Sequence, residues 1–212
     1  MYATTCNLLN EFEYERSEGT FNIPMLTGVK NLTVSTDLIG FDKAIVFRNH
    51  NAGVHFYLDD SRFERLWKFP YRYIPILKRF SYVLTPDFSV YTDMPKAMQI
   101  WNVFRSRLLG QMMQREGITV IPSISWSDHT SFAFCFDGIP HNSVVSISSV
   151  GTIRNKESCQ LFSDGVNAMC ATINPMAIIF YGKNPGIDFG DITVHYYKNS
   201  SFDWKKQKNN VY

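Results

Sequence analysis

The chain has 212 residues, 45% of them hydrophobic, 19% charged and 15% aromatic, with a formal net charge of +2. That length supports one substantial core and is short for two ordinary domains. The apolar content excludes a disordered chain, and the small net charge excludes polyanion binding by bulk charge, leaving nucleic acid only a local basic patch.

Residues 1–35 read as a partly ordered lead-in, with a strand near NLTVST. Its first residues, MYATTCNLLNEFEYERSEG, lack the basic start and apolar stretch of a secretory signal. No apolar run approaches the roughly 20 residues that span a bilayer. Cys6, Cys135, Cys159 and Cys170 show no C-x-x-C spacing and no paired framework. The expectation is a soluble cytosolic protein with reduced thiols and no membrane partner.

From residue 36 the chain alternates. FDKAIVF and GVHFYLDD read as strands. SRFERLWKF reads as a helix begun by Asp59, Asp60 or Ser61, and YRYIPILKRF as a helical piece broken by Pro75. The strand FSYVLT leads through TPDFSVYTDMP into the longest helical pattern. There Pro95 suits the first turn, Thr92 or Asp93 the cap, and Gly117 the left-handed stop. Ala97, Ile100, Trp101, Phe104, Leu108 and Met112 recur at helical spacing and are expected inward. Lys96, Gln99, Asn102, Arg105 and Ser106 are expected on the opposite side, with Gly110 a weak point.

ITVIPSISW is a short buried strand. SDHTSFAFCFDGIP fits a short helix with Phe132, Cys135, Phe136 and Ile139 on one face, or a strand with Phe132, Phe134 and Phe136 aligned. NSVVSISSVG is a strand. NKESCQLFSDGVNAMCATINP is a helix with Phe162, Val166, Met169, Cys170 and Ile173 inward, stopped by Asn174-Pro175. MAIIFYGK is again a buried strand. GDITVHYY adds one more, expected antiparallel at an edge, and residues 199–212 form a basic solvated tail.

Such alternation predicts a single α/β domain over residues 36–198, with a mainly parallel sheet and right-handed crossovers. A partial or distorted β/α barrel is the first architecture and an open doubly wound sheet the second. No G-x-G-x-x-G follows a strand, which counts against dinucleotide binding, and no motif specifies a cofactor. Oligomeric state is not written in these patterns.

Parallel α/β proteins hold ligands at the carboxyl ends of their strands. The candidate ligand-binding set at those ends is Asp42, Asp87, Ser89, Trp126, Ser148, Ser149, Tyr181 and Lys183. Asp87 suits proton or cation chemistry, although Pro86-Asp87 also makes an ordinary turn. Asp59, Asp60 and Ser61 are most simply a helix start. Trp126 either stacks a ring or caps the core, and Lys183 either meets an anion or is an ordinary surface lysine. His50, His55, His129, His141 and His195 lack zinc spacing, and G-x-S-x-G is absent. Arg105, Arg107 and Arg115, with Lys205, Lys206 and Lys208, are better read as solvated surface than as a nucleic-acid face.

TPDFSVYTDMP, IWNVFRSRLLGQMMQREGITVIPSISW, FDGIPHNSVVSIS and INPMAIIFYG together resemble a family of bacterial and phage proteins that carries only a domain-of-unknown-function label. The likeness covers roughly residues 35–185. It implies a bacterial or phage origin, hence a bacterial or infected-cell cytoplasm, and a single α/β domain. It implies no activity and transfers no site residue. Function is therefore read from the residues: a cup for a small anionic or nucleotide-like ligand first. A metal-dependent hydrolase or nuclease using Asp42 and Asp87 is second, and a nucleic-acid or protein interaction module third.

Overall fold

The computed structural model describes Leu8 and residues 10–199. A short antiparallel hairpin, β1 (Ser17–Glu18) and β2 (Ile23–Pro24), precedes the main strands. Then β3 (Leu38–Gly40), β4 (Gly53–His55), β5 (Tyr82–Leu84) and β6 (Val120–Ile121) form one parallel sheet in chain order. A second parallel sheet holds β7 (Val144–Ser148), β8 (Ala177–Tyr181) and β9 (Thr193–Tyr197).

The two sheets meet where Ser123 bridges Ser146 in parallel. The Ile124 N–H donates to the Ser146 carbonyl and the Ser146 N–H to the Pro122 carbonyl, both at 2.8 Å. Seven parallel strands thus succeed one another without the order reversal of a doubly wound sheet. Among the described residues no ladder joins β9 to β3, so pairing does not close the barrel expected as the first architecture. Side chains bring β9 back toward the first sheet instead: the Tyr82 and Tyr197 hydroxyls lie 3.0 Å apart, and the Tyr197 hydroxyl donates to the Ser35 carbonyl.

Alternation along each strand sorts the core. Leu38, Tyr82, Leu84, Ile121, Val144, Ile179 and Tyr181 point to one shared cluster drawn from both sheets. The alternate residues Val54, Val83 and Val120 pack beneath the helices of the first half, and Val145, Ile147, Ile178 and Phe180 beneath those of the second. These helices are α1 (Glu64–Lys68), α2 (Pro70–Leu77), α3 (Lys96–Arg115), α4 (Phe132–Cys135) and α5 (Lys156–Ile173). α5 starts with a reciprocal capping box between Asn155 and Ser158, and it stops at left-handed Asn174.

Several local expectations are corrected. FDKAIVF is not a strand: Leu38–Gly40 is, and Phe41–Lys43 turns into a 3-10 helix whose backbone bonds point back along the chain. Ile45 and Val46 are left exposed, so their apolar character carried no pleat. NLTVST pairs in no sheet. β9 runs parallel, because residues 182–192 return the chain to the starting edge of β8 before it begins. Of the two readings of SDHTSFAFCFDGIP, the short helix is the one found, over Phe132–Cys135.

The largest correction is in α3. Pro95 itself is the cap, with no side-chain bond from Thr92 or Asp93. In its first half the helix buries Gln99, Asn102, Arg105 and Ser106, while Trp101 is 37% and Met98 52% exposed. The inward face meets the 85–94 loop rather than a sheet, and that loop presents carbonyls. Gln99 donates to the Tyr91 and Met94 carbonyls at 3.0 and 2.8 Å, and Asn102 to that of Ser89 at 2.6 Å. Polar side chains win this face because loop carbonyls left dry cost about 1–3 kcal/mol each. Further along, Leu108 and Met112 enter the core as expected, joined there by Leu109 and Met113. Residues 16–27 lie across this half. Gln111 holds the Arg16 and Met25 carbonyls at 2.9 and 2.8 Å, and a Cβ at Gly110 would stand 2.7 Å from Leu26.

Candidate functional site

Because the main strands are parallel, the loops after β4, β5, β6 and β7 emerge at one end. They enclose a cleft of about 490 Å³. Tyr57, Asp59 and Arg62 come from the first of these loops, and Asp87, Ser89 and Tyr91 from the second. Ser125 and Trp126 come from the third, and Ser148, Thr152 and Arg154 from the fourth. An adjoining hollow of about 590 Å³ shares the Trp126, Ser148 and Arg154 wall and adds Ser127, Ser158 and Phe162.

Each wall is held by local chemistry. Asp59 caps the 3-10 helix Asp60–Arg62 by accepting the Ser61 N–H at 3.0 Å, and the Ser61 bonds hold its carboxyl below the usual range. That turn presents Arg62, which pairs with Asp42 at 2.8 Å. Asp60 accepts from the Ser89 N–H at 3.2 Å and lies 2.9 Å from its hydroxyl, fixing the loop after β5. Trp126 lies stacked at 5.5 Å and 26° on Phe162. A Cβ at Gly165 would come within 2.1 Å of the indole, so only glycine in α5 lets the ring lie there.

The floor is aromatic and uncharged. The His55 and Tyr181 ring centroids are 4.4 Å apart, and Tyr57 stacks on Tyr181 at 5.3 Å. Burial pushes the His55 imidazole down to about 3, so it is neutral, with Nδ1 accepting the Tyr57 N–H at 3.1 Å. The Tyr57 hydroxyl lies 2.7 Å from that of Ser146, and burial, reinforced by the charge of Asp87, raises its pKa.

Asp87 sits where floor and wall meet. Burial pushes its carboxyl up to about 7; the charge of Asp60 adds to the rise, while the Ser125 hydrogen bond and Arg107 oppose it. Beneath it Arg107, 2% exposed, donates to the Ser123 carbonyl at 2.9 Å and the Cys135 carbonyl at 3.2 Å, and its Nε has no partner. Burial lowers Arg107 to about 10, which leaves it charged at neutral pH. Arg105 lies 3.7 Å over the Phe88 ring and pairs with Glu64 at 3.0 Å. The solvated basic face expected from Arg105 and Arg107 is therefore absent: both guanidiniums are spent inside. Arg115 pairs with Glu11 and Glu13 at 2.5 and 2.6 Å, and Lys205, Lys206 and Lys208 lie outside the described residues.

Residues 14–198 match the family model described as "Domain of unknown function (DUF4417)". The chain belongs to this family. The family resemblance carried by TPDFSVYTDMP and the later motifs is thus borne out. Among relatives, the chain is 45% identical over 134 residues to the Gene 1 protein of Mycobacterium phage L5, covering 63% of this chain and 58% of that protein. It is 38% identical over 160 residues to the Gene 1 protein of Mycobacterium phage D29, covering 76% of this chain and again 58% of the relative. The chain therefore spans less than two thirds of each of these relatives. No solved structure matches it.

In this DUF4417 chain four of the eight expected residues, Asp87, Ser89, Trp126 and Ser148, line one cleft. Tyr181 lies below them in the aromatic floor. The other three are elsewhere. Asp42 is engaged by Arg62 away from the lining, Ser149 is buried with its hydroxyl on the Lys183 carbonyl at 2.8 Å, and the Lys183 side chain is exposed outside the cleft. Residues missed from sequence were Tyr57, Arg62, Thr152 and Arg154. Tyr57 stands two residues past β4, and strand direction alone would have selected it. Arg62 and Arg154 carried no signal, since each is an ordinary charge beside a helix start. Among the described residues no group of three or more His, Cys, Asp or Glu is placed to hold a metal, and no helix is long and apolar enough to cross a membrane.

Proposed function

We propose that this chain binds a small anionic or nucleotide-like ligand in the cleft at the carboxyl ends of its strands, in the cytoplasm of a bacterial or phage-infected cell. The supporting observation is the convergence of unlike groups on one concave surface: Arg62 and Arg154 for negative charge, Trp126 for a ring, and Ser89, Ser125, Ser148 and Thr152 for oxygen atoms. Cationic forks and hydroxyls around an aromatic plate form the usual grammar of such sites. The Asp42–Arg62 pair gives the metal-hydrolase reading no help, and the internal use of Arg105 and Arg107 gives none to a nucleic-acid face.

A thermal-shift screen of the full chain with nucleotides and phosphorylated metabolites tests the reading. Ligand at a hundred times its Kd adds about 2.7 kcal/mol, or roughly 5–10 °C for a chain of this size. Arg154→Ala and Trp126→Ala should remove the shift and leave the ligand-free melting temperature nearly unchanged for Arg154→Ala. No shift with any compound, or a shift that survives both substitutions, rejects this cleft as the site.

A further inference from the structure

We propose that the cleft takes its anionic ligand together with one proton, and that Asp87 is the residue that holds that proton. This rests on the binding reading above and adds the protonation state of the site and the atom opposite the ligand.

The geometry begins with a half-buried carboxylate that lines the cleft and is held by no counter-charge. Among the described residues Asp87 is in no ion pair, although Arg107 is near enough to act on it through its charge. Arg107 reaches it through charge alone, its terminal nitrogens being committed to the Ser123 and Cys135 carbonyls and the Ser106 hydroxyl. Arg105 is held by Glu64 and Asn102. Asp60 takes both Ser89 donors, and its own carboxylate acts on Asp87 as a like charge. Ser125 supplies a hydrogen bond from the loop after β6, and the buried Tyr57 hydroxyl, in the loop after β4, feels the charge of Asp87. Between Asp87 and Arg107 there is room of only about 10 Å³, about one water-sized sphere and too little for a ligand, so an incoming anion meets Asp87 from the cleft side.

The charges lining the cleft are Asp59, Asp87, Arg62 and Arg154, with Arg62 already engaged by Asp42. An ionised Asp87 therefore nearly cancels the attraction for an anion. A protonated Asp87 removes that charge and becomes an O–H donor to a phosphate or carboxylate oxygen, as a neutral carboxylic acid does in a dry site. The proton comes from solvent: the Asp87 carboxylate gains H⁺ as the anion enters and returns it when the anion leaves. The direction of linkage follows. A carboxyl raised to about 7 is protonated below that pH, so affinity is full there and is lost as pH rises through it.

The test uses the full chain with cyclic AMP and with inorganic sulfate, whose charges do not change near neutrality. Binding is measured by calorimetry from pH 5.5 to 8.5, in buffers of different ionisation enthalpy. The proposal expects uptake of up to one proton per ligand and affinity falling about tenfold per pH unit above the Asp87 midpoint. Asp87→Asn should keep binding and lose both the uptake and the pH slope. The carboxyl carbon resonance of Asp87 in the native chain needs no variant, and should titrate near neutrality. Binding of either probe with no proton uptake, or an Asp87 resonance that titrates in the ordinary carboxylate range, overturns the proton linkage and leaves the cleft as a binding site. Failure of both probes to bind at any pH overturns the binding reading, and this proposal with it.

Discussion

The two long helices follow the same rules of sequence and obey them differently. α5 buries Phe162, Val166, Met169 and Ile173 against the outer face of β7 and β8, as its apolar spacing predicts. The first half of α3 turns Gln99, Asn102, Arg105 and Ser106 inward and leaves Met98 and Trp101 toward solvent. The difference lies in what each helix covers. A pleated apolar sheet selects apolar side chains, whereas a loop selects donors for its carbonyls, and the loop under α3 carries Asp87 and Ser89. An inverted helix face is therefore a marker for the end of this fold at which the cleft opens.

The comparison can be broken by substitution. Phe162→Ala in α5 removes a ring that packs on Trp126 and Phe180, and should cost about 3–5 kcal/mol in urea unfolding. A loss below about 1 kcal/mol would mean that α5 is not the conventional partner in the pair. Gln99→Leu is the sharper test. Apolar periodicity makes it neutral or better, but the structure removes donors from two carbonyls and an acceptor from Ser127, so destabilisation of about 1–3 kcal/mol is expected. Stabilisation would restore the ordinary orientation of α3. Trp101→Ala sets the lower end: the ring contacts Trp67 and Phe104 at the surface, so the loss should be about 1 kcal/mol, well short of the 3–5 of a core tryptophan.

Much of the scaffold is legible in the chain because its cues are local. Asn155 three residues before Ser158 writes the capping box, Asn174 before Pro175 writes the stop of α5, and Gly117 takes the positive φ that ends α3. The β-branched runs VVSIS and AIIFY become β7 and β8 because buried parallel strands need no polar alternation. Strand direction then placed Asp87, Ser89, Trp126 and Ser148 at the mouth. Asp42 failed as a cleft residue because its strand ended before it: the chain turned at Phe41, and the carboxylate met Arg62, twenty positions away.

By itself, then, the sequence determined the order of strands and helices, the stops of both long helices, the family, and the end of the sheet at which polar side chains gather. Those properties depend on spacing and on backbone conformations that single residues favour. Only the tertiary structure decided the inward face of α3, the burial of Arg105 and Arg107, and the setting that drives Asp87 toward neutrality. Each of these depends on which surface a side chain meets and how much water is left there. Desolvation and carbonyl satisfaction arise between segments far apart in the chain, and no local pattern encodes them.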